Sequence, residues 1–308
     1  MPKDFKTYDE LIDLLQSRNV ITDENTKTQL MRESYYAIVN GYKDPFLDVA
    51  AMTSSHDDIY LEGTRFDWIY SLFSFDRDLR SITFRYLMQA EATMKNAIMY
   101  AFCSVYPDPN AYLDRSSYVD PKDMLVSKGY RGNKQMLHQK NLTKLMGILN
   151  SKVGSKGKPF TKHYMETYGF VPLWVLQNDL TFGNISNFYQ LQKRGIQNHA
   201  CKLILEANGE ENRKLSADTL LRAFSVLVDF RNICAHDERL YCAKVGKSHD
   251  IDFSQMAFYL MQVLPMEEFE HFIDEILNLF SEHKENLHVV TRESLLKGMG
   301  FNISVIEH

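Results

Sequence analysis

The chain is short of the features that usually place a protein quickly. Its 308 residues hold four cysteines, Cys103, Cys201, Cys234 and Cys242, with no CxxC pair and no regular spacing. That argues against a disulfide framework or a zinc knuckle and fits a reducing compartment. No apolar run approaches the roughly 20 residues of a membrane-spanning helix; the longest, AIMYAFC at 97–103, is far shorter. The opening MPKDFKTYDE lacks the basic-then-apolar plan of a signal peptide, so a cytoplasmic protein with no membrane partner is expected. No segment alternates with period two, which leaves no place for a substantial sheet, and neither a repeat nor a low-complexity tract is present. Acid is also missing from one long stretch: between Asp123 and Glu166 there is no Asp or Glu.

The composition is otherwise that of an ordinary globule, 44% hydrophobic and 24% charged, with a net charge of −5 that excludes a basic nucleic-acid coat. Helical periodicity dominates. TYDELIDLL carries a capping box from Thr7 to Glu10, followed by Leu11, Leu14 and Leu15 at helical spacing. A second helix is predicted from Thr22 or Asp23, with Gly41 as its exit and Pro45 as a barrier to resumption. Residues 64–105 read as the longest helical stretch. Ile69, Leu72, Phe73, Leu79, Ile82, Leu87, Met94, Ile98 and Phe102 supply its buried stripe, and its length predicts two helices or one long bent one. Pro107 and Pro109 break the chain; a helix near 133–150 follows, then a Gly- and Lys-rich loop, SKVGSKGKPF. A helix pair around Gly183 and helices over 197–208, 216–235, 254–263 and 266–286 complete an all-α reading. One domain is expected over 1–308, with a helical extension at 1–60 and a core at 61–290.

In the acid-free stretch, Lys128, Arg131, Lys134, Lys140, Lys144, Lys152, Lys156, Lys158 and Lys162 supply nine positive charges, so the rest of the chain carries −14. One reading is a solvated lysine face. The other is a surface that neutralises a phosphate backbone while acid elsewhere discourages nonspecific adhesion. Tyr130, Phe160 and Tyr164 lie in or beside it and suit either a core or the stacking of unpaired bases.

FRNICAHDERL, at 230–240, places Arg231, Asn232 and His236 at the end of an apolar helix that opens on Ser216 and Asp218. On a regular helix Asn232 and His236 lie about 40° apart, whereas Arg231 and His236 lie about 140° apart. Either the helix ends near Ala235 and His236 turns, or two copies of the chain contribute to one centre. The residue types suit RNA cleavage. A histidine can exchange a proton with a ribose 2′-hydroxyl or a leaving 5′-oxygen, and an arginine can hold phosphate oxygens as charge builds on them. Asn232 would orient either group. No metal or cofactor is called for, because the 2′-hydroxyl is a tethered nucleophile. On spacing alone the same residues also fit a plain helix end, with Arg231 paired to Asp237 and His236 as the cap.

RNICAH, continuing into DERL, resembles the RNxxxH motif of HEPN-type ribonucleases, and in particular the Abi-like abortive-infection proteins. RESYYAIVNGYKDPF at 32–46, FDRDLRSITFRYLMQAEATMKNAI at 75–98 and VPLWVLQNDLTFGNISNFY at 171–189 resemble further blocks of that family, in its order. The resemblance implies an all-helical HEPN-type bundle and metal-independent endoribonuclease activity. It also implies a homodimer whose two motifs face each other, RNA as substrate or regulator, an inhibitor or antitoxin, and a role in shutting down phage-infected cells. It makes Arg231, Asn232 and His236 catalytic, and puts Glu91 and Lys95 where a polar pair occupies the facing helix; an i,i+4 surface pair is the alternative. Asp237 and Arg239 are candidate supporting residues, and Asp76, Arg77 and Arg80 are expected to form an internal ion-pair network. Two rivals remain: a metal-dependent HD phosphohydrolase, from His56-Asp57, His236-Asp237 and His249-Asp250, and a non-catalytic RNA-binding or toxin-neutralising module.

Overall fold

The computed structural model describes residues 4–52, 58–126, 130–246, 248–287 and 290–301. The fold is all-α; among the described residues no strand forms, only isolated bridges such as Val245 with Ile251. The chain divides into two compact units. The first comprises Met1–Thr83, His236–Ala243 and Ile273–His308; the second comprises Phe84–Ala235 and Lys244–Phe272.

In the first unit, α1 (Tyr8–Ser17) starts where its capping box is made: Thr7 Oγ1 accepts from the Glu10 N–H, and Glu10 accepts from the Thr7 N–H. The second predicted helix is shorter than expected. The Asp23 carboxylate accepts from the N–H groups of Asn25 and Thr26, and α2 spans only Thr26–Glu33. Ser34 then takes φ 63°, which no helix continues through, and its hydroxyl accepts from the Ala37 N–H at 3.3 Å to restart the chain as a π-helical turn, Tyr36–Asn40. The predicted run to Gly41 is therefore broken at Ser34. The core here gathers Leu15, Leu30, Ile38, Phe46, Ile69, Leu72, Phe75 and Leu79, all fully buried. Each such side chain contributes about 1.5–3 kcal/mol of transfer free energy.

The 64–105 stretch forms one uninterrupted helix, α3 (Phe66–Val105), whose residues up to Thr83 belong to the first unit and the rest to the second. Of its predicted stripe only Ile82 is not buried.

The second unit holds α4 (Lys134–Val153), α5 (Pro159–Tyr168), the short α6 (Leu173–Leu176), α7 (Phe182–Gln190), α8 (Arg194–Ala207), α9 (Ala217–Ala235) and α10 (Phe253–Met261). The α4–α5 connection needs Gly157, because a Cβ there would meet the Lys152 carbonyl at 2.3 Å. The sequence predicts no helix at α5; Pro159 at its first position and Gly169 (φ 76°) past its end are its start and stop. The break within 171–189 falls at Leu180 rather than at Gly183: Thr181 caps α7 in a capping box with Asn184, and Gly183 lies inside the helix. Ser216 caps α9 by accepting from the Thr219 N–H at 3.0 Å. α9 packs on α7 and α10, burying Leu220, Phe224 and Leu227, with the Phe224 ring 5.7 Å from Phe182 and 5.0 Å from Tyr189. α11 (Met266–Glu282) runs from the second unit into the first, where α12 (Arg292–Gly298) follows.

Candidate functional site

RNICAH is the last turn of α9 plus one residue. α9 ends at Ala235, His236 lies in a turn, and Asp237 takes φ 58°, the left-handed region that stops an α-helix. The first of the two sequence-based alternatives is therefore what the chain does.

Arg231 is held from α3. Its Nε donates to Glu91 Oε2 at 3.2 Å and its Nη1 to Asn232 Oδ1 at 3.3 Å, while Nη2 has no hydrogen-bond partner among the described residues. Glu91 is only 5% exposed, so it is not half of a surface pair. Its other oxygen lies 3.4 Å from Lys95 Nζ, which also donates to the Leu180 carbonyl at 3.4 Å. One buried carboxylate thus serves two cations, one on α3 and one on α9, and that satisfies the rule that a buried charge must be paired. The pair expected between Arg231 and Asp237 does not form. His236 and Asn232 are exposed, and the His236 ring makes no hydrogen bond among the described residues, so it is not the helix cap.

The residues that follow His236 are clasped within the first unit. The Asp76 carboxylate, fully buried, accepts from the Leu240 N–H at 2.9 Å, the Tyr241 N–H at 2.7 Å, the Tyr42 hydroxyl at 2.7 Å and Arg80 Nη1 at 2.8 Å. Arg80, 3% exposed, also donates to the Glu238 carbonyl and pairs through Nη2 with Asp237. Burial pushes the Asp76 carboxyl up from its ordinary value, against the opposing effect of the two backbone N–H groups, Tyr42 and Arg80. Burial and the adjacent carboxylate push the Tyr42 phenol up, which keeps it a donor. The predicted ion-pair network is real for Asp76 and Arg80. Arg77 stands apart, paired with Glu33 and lying over the Phe73 ring at 4.5 Å. Arg239 pairs with Asp44 at 3.0 Å, both side chains well exposed. The sequence does not single out Tyr42 or the backbone of Leu240 and Tyr241, because no local pattern links residues this far apart.

A family model described as Abi-like protein matches residues 28–242, well over half of the chain. The chain belongs to the Abi-like family. No curated protein and no solved structure matches it. The matched span of this Abi-like protein takes in Tyr42, Asp76, Arg80, Glu91, Lys95 and the RNICAHDERLY segment, so both clusters just described are built from family sequence.

The basic stretch of this Abi-like protein separates into two kinds of cation. Lys152 Nζ pairs at 2.8 Å with the buried Asp179 carboxylate, whose other oxygen accepts from the Lys158 N–H at 2.9 Å. Lys158 Nζ donates to the Asn178 carbonyl and Lys134 Nζ to the Lys122 carbonyl, both at 2.9 Å. Arg131, Lys140, Lys144, Lys156 and Lys162 are exposed, with no ion-pair partner among the described residues. Lys128 lies outside the described residues, as does the His56-Asp57 dipeptide. Tyr130, Phe160 and Tyr164 are half-buried. Among the described residues no group of three or more His, Cys, Asp and Glu is placed to hold a metal, and no helix is long and apolar enough to cross a membrane.

Proposed function

We propose that this protein is a metal-independent HEPN-type endoribonuclease acting in abortive infection, a homodimer in which Arg231, Asn232 and His236 form the catalytic set. The observation that carries the reading is the state of the motif. A permanently charged guanidinium is anchored by a buried glutamate with donors to spare, and it precedes by five residues an exposed, uncommitted imidazole.

The chemistry needs little more. The ribose 2′-oxygen attacks the adjacent phosphorus as its proton leaves to a base; the P–O5′ bond breaks and the 5′-oxygen takes a proton. The products are a 2′,3′-cyclic phosphate and a 5′-hydroxyl. His236 performs one or both proton transfers. Arg231 stabilises charge on the phosphoryl oxygens, and Asn232, already hydrogen-bonded to it, fixes its fork. His236 stands beyond the end of α9, and the homodimer of this reading, with two facing motifs, comes from the resemblance to HEPN-type ribonucleases. Exposed Arg131, Lys140, Lys144, Lys156 and Lys162 would hold the RNA backbone. A toxic ribonuclease also calls for an inhibitor, antitoxin or regulatory RNA.

The test is cleavage of single-stranded RNA in excess chelator by the wild type, Arg231→Ala and His236→Ala. Loss of activity in both variants supports the assignment, as does a cyclic phosphate end. Equal cleavage by all three defeats it, and activity abolished by chelator favours the HD alternative.

A further inference from the structure

We infer that Asp76 and Arg80 are positioning residues, whose task is to hold the turn Asp237–Tyr241 so that His236 is presented in one fixed direction. The inference rests on the reading of His236 given above, but its structural half stands separately.

Position 237 is strained. A non-glycine residue at φ 58° persists only where its surroundings over-determine it. Here they do. Arg80 pairs with the Asp237 side chain and donates to the Glu238 carbonyl, while Asp76 takes the N–H groups of Leu240 and Tyr241. Four residues of the turn are thus gripped from one turn of α3. Three stretches far apart in sequence meet at this point: Tyr42 from the first, Asp76 and Arg80 from the second, and the residues directly after His236 from the third. Burying an aspartate and an arginine is costly, and apolar residues of similar volume often serve stability as well or better. Besides Tyr42, the buried charges hold a turn: the Asp237 side chain and the main-chain groups of Glu238, Leu240 and Tyr241. Such an arrangement makes sense where direction matters more than stability. His236 itself has no side-chain hydrogen bond among the described residues to steer it, so its backbone is what sets its aim.

The experiment uses the full chain with Asp237→Gly, Arg80→Lys and His236→Ala. Asp237→Gly removes one of the partners of Arg80 while relieving the strain at φ 58°, and the bonds of Arg80 to Asp76 and Tyr42 remain, so the variant is expected to fold. Arg80→Lys keeps a charge but loses the fork that reaches Tyr42, Asp76, Asp237 and Glu238 together. Two quantities are read: amide hydrogen exchange over 236–241, and kcat with KM for single-stranded RNA. We expect at least tenfold faster exchange in this turn in both variants, and kcat down at least tenfold with KM within twofold. Unchanged exchange overturns the inference, and so does faster exchange with an unchanged kcat. If His236→Ala cleaves like the wild type, the ribonuclease reading falls instead, and exchange alone then decides whether Arg80 and Asp237 fix the turn.

Discussion

Removing the glutamate that anchors Arg231 should cost stability and activity together. In Glu91→Ala, two cations lose their shared carboxylate. A fully buried pair broken on one side costs about 3–5 kcal/mol. Here the arginine and lysine side chains are 25% and 19% exposed and the separations are 3.2 and 3.4 Å, so solvent takes over part of the compensation. The expected loss is about 2–3 kcal/mol, each charged hydrogen bond being worth about 1.5–3 kcal/mol. For a chain of this size that lowers Tm by about 3–5 °C. Glu91→Gln keeps the volume and one acceptor but turns an amide toward the second cation, and should lose about half as much. Thermal unfolding followed by circular dichroism gives the first number and RNA cleavage the second, with kcat falling for both variants. A Glu91→Ala protein melting within about 1 °C of the wild type would show that the carboxylate is not a structural anchor, and would remove the basis for its role in orienting Arg231.

Two further outcomes separate surface from anchor. Lys140→Ala with Lys144→Ala, both exposed on α4, should weaken RNA binding and reduce the slope of log Kd against log salt by roughly 0.7 for each phosphate left without its lysine. Lys152→Ala should instead lower Tm and leave that slope alone, because its amine is committed to Asp179. Cysteine alkylation gives a pH prediction. Burial pushes the Cys103 and Cys201 thiols up to about 11. The reactive thiolate is thus scarce below that pH, and at pH 8 both should label about 100-fold more slowly than a free peptide thiol, with rates climbing only as pH rises toward that range. Mass spectrometry of iodoacetamide-treated protein measures this; fast labelling at pH 8 contradicts it.

Local signals are legible in the sequence and long-range ones are not. The Thr7 capping box and the Ser216 start of α9 need only neighbouring residues, and both form. The absence of Pro and Gly over 64–105 points to unbroken helix, while the length suggests a division; packing along nearly the whole stripe sustains a single helix. Ser34 is invisible as a breaker because serine seldom adopts positive φ, and the break depends on its own hydroxyl capping Ala37. Pro159 reads as part of a loop, although proline opens helices as readily as it ends them. In the basic stretch, charge counting does not distinguish Lys152, drawn inward by a buried aspartate 27 residues away, from Lys140, which is left in solvent. For the motif, the residue types and the end of the helix are readable. The grip of Asp76 on amides 164 and 165 residues further on is not, since backbone donors leave no mark in composition.

A single carboxylate between two cations is outnumbered. Among the described residues Glu91 offers one negative charge to Arg231 and Lys95, and the third neighbour, Asn232, brings none. That corner of the second unit therefore carries an unmatched positive charge beside partly dehydrated side chains. Solvent reaches both cations, and an anion arriving there would be attracted to them. Simple salts should thus compete for the place a phosphodiester would take, and they should do so more effectively the higher the charge they carry.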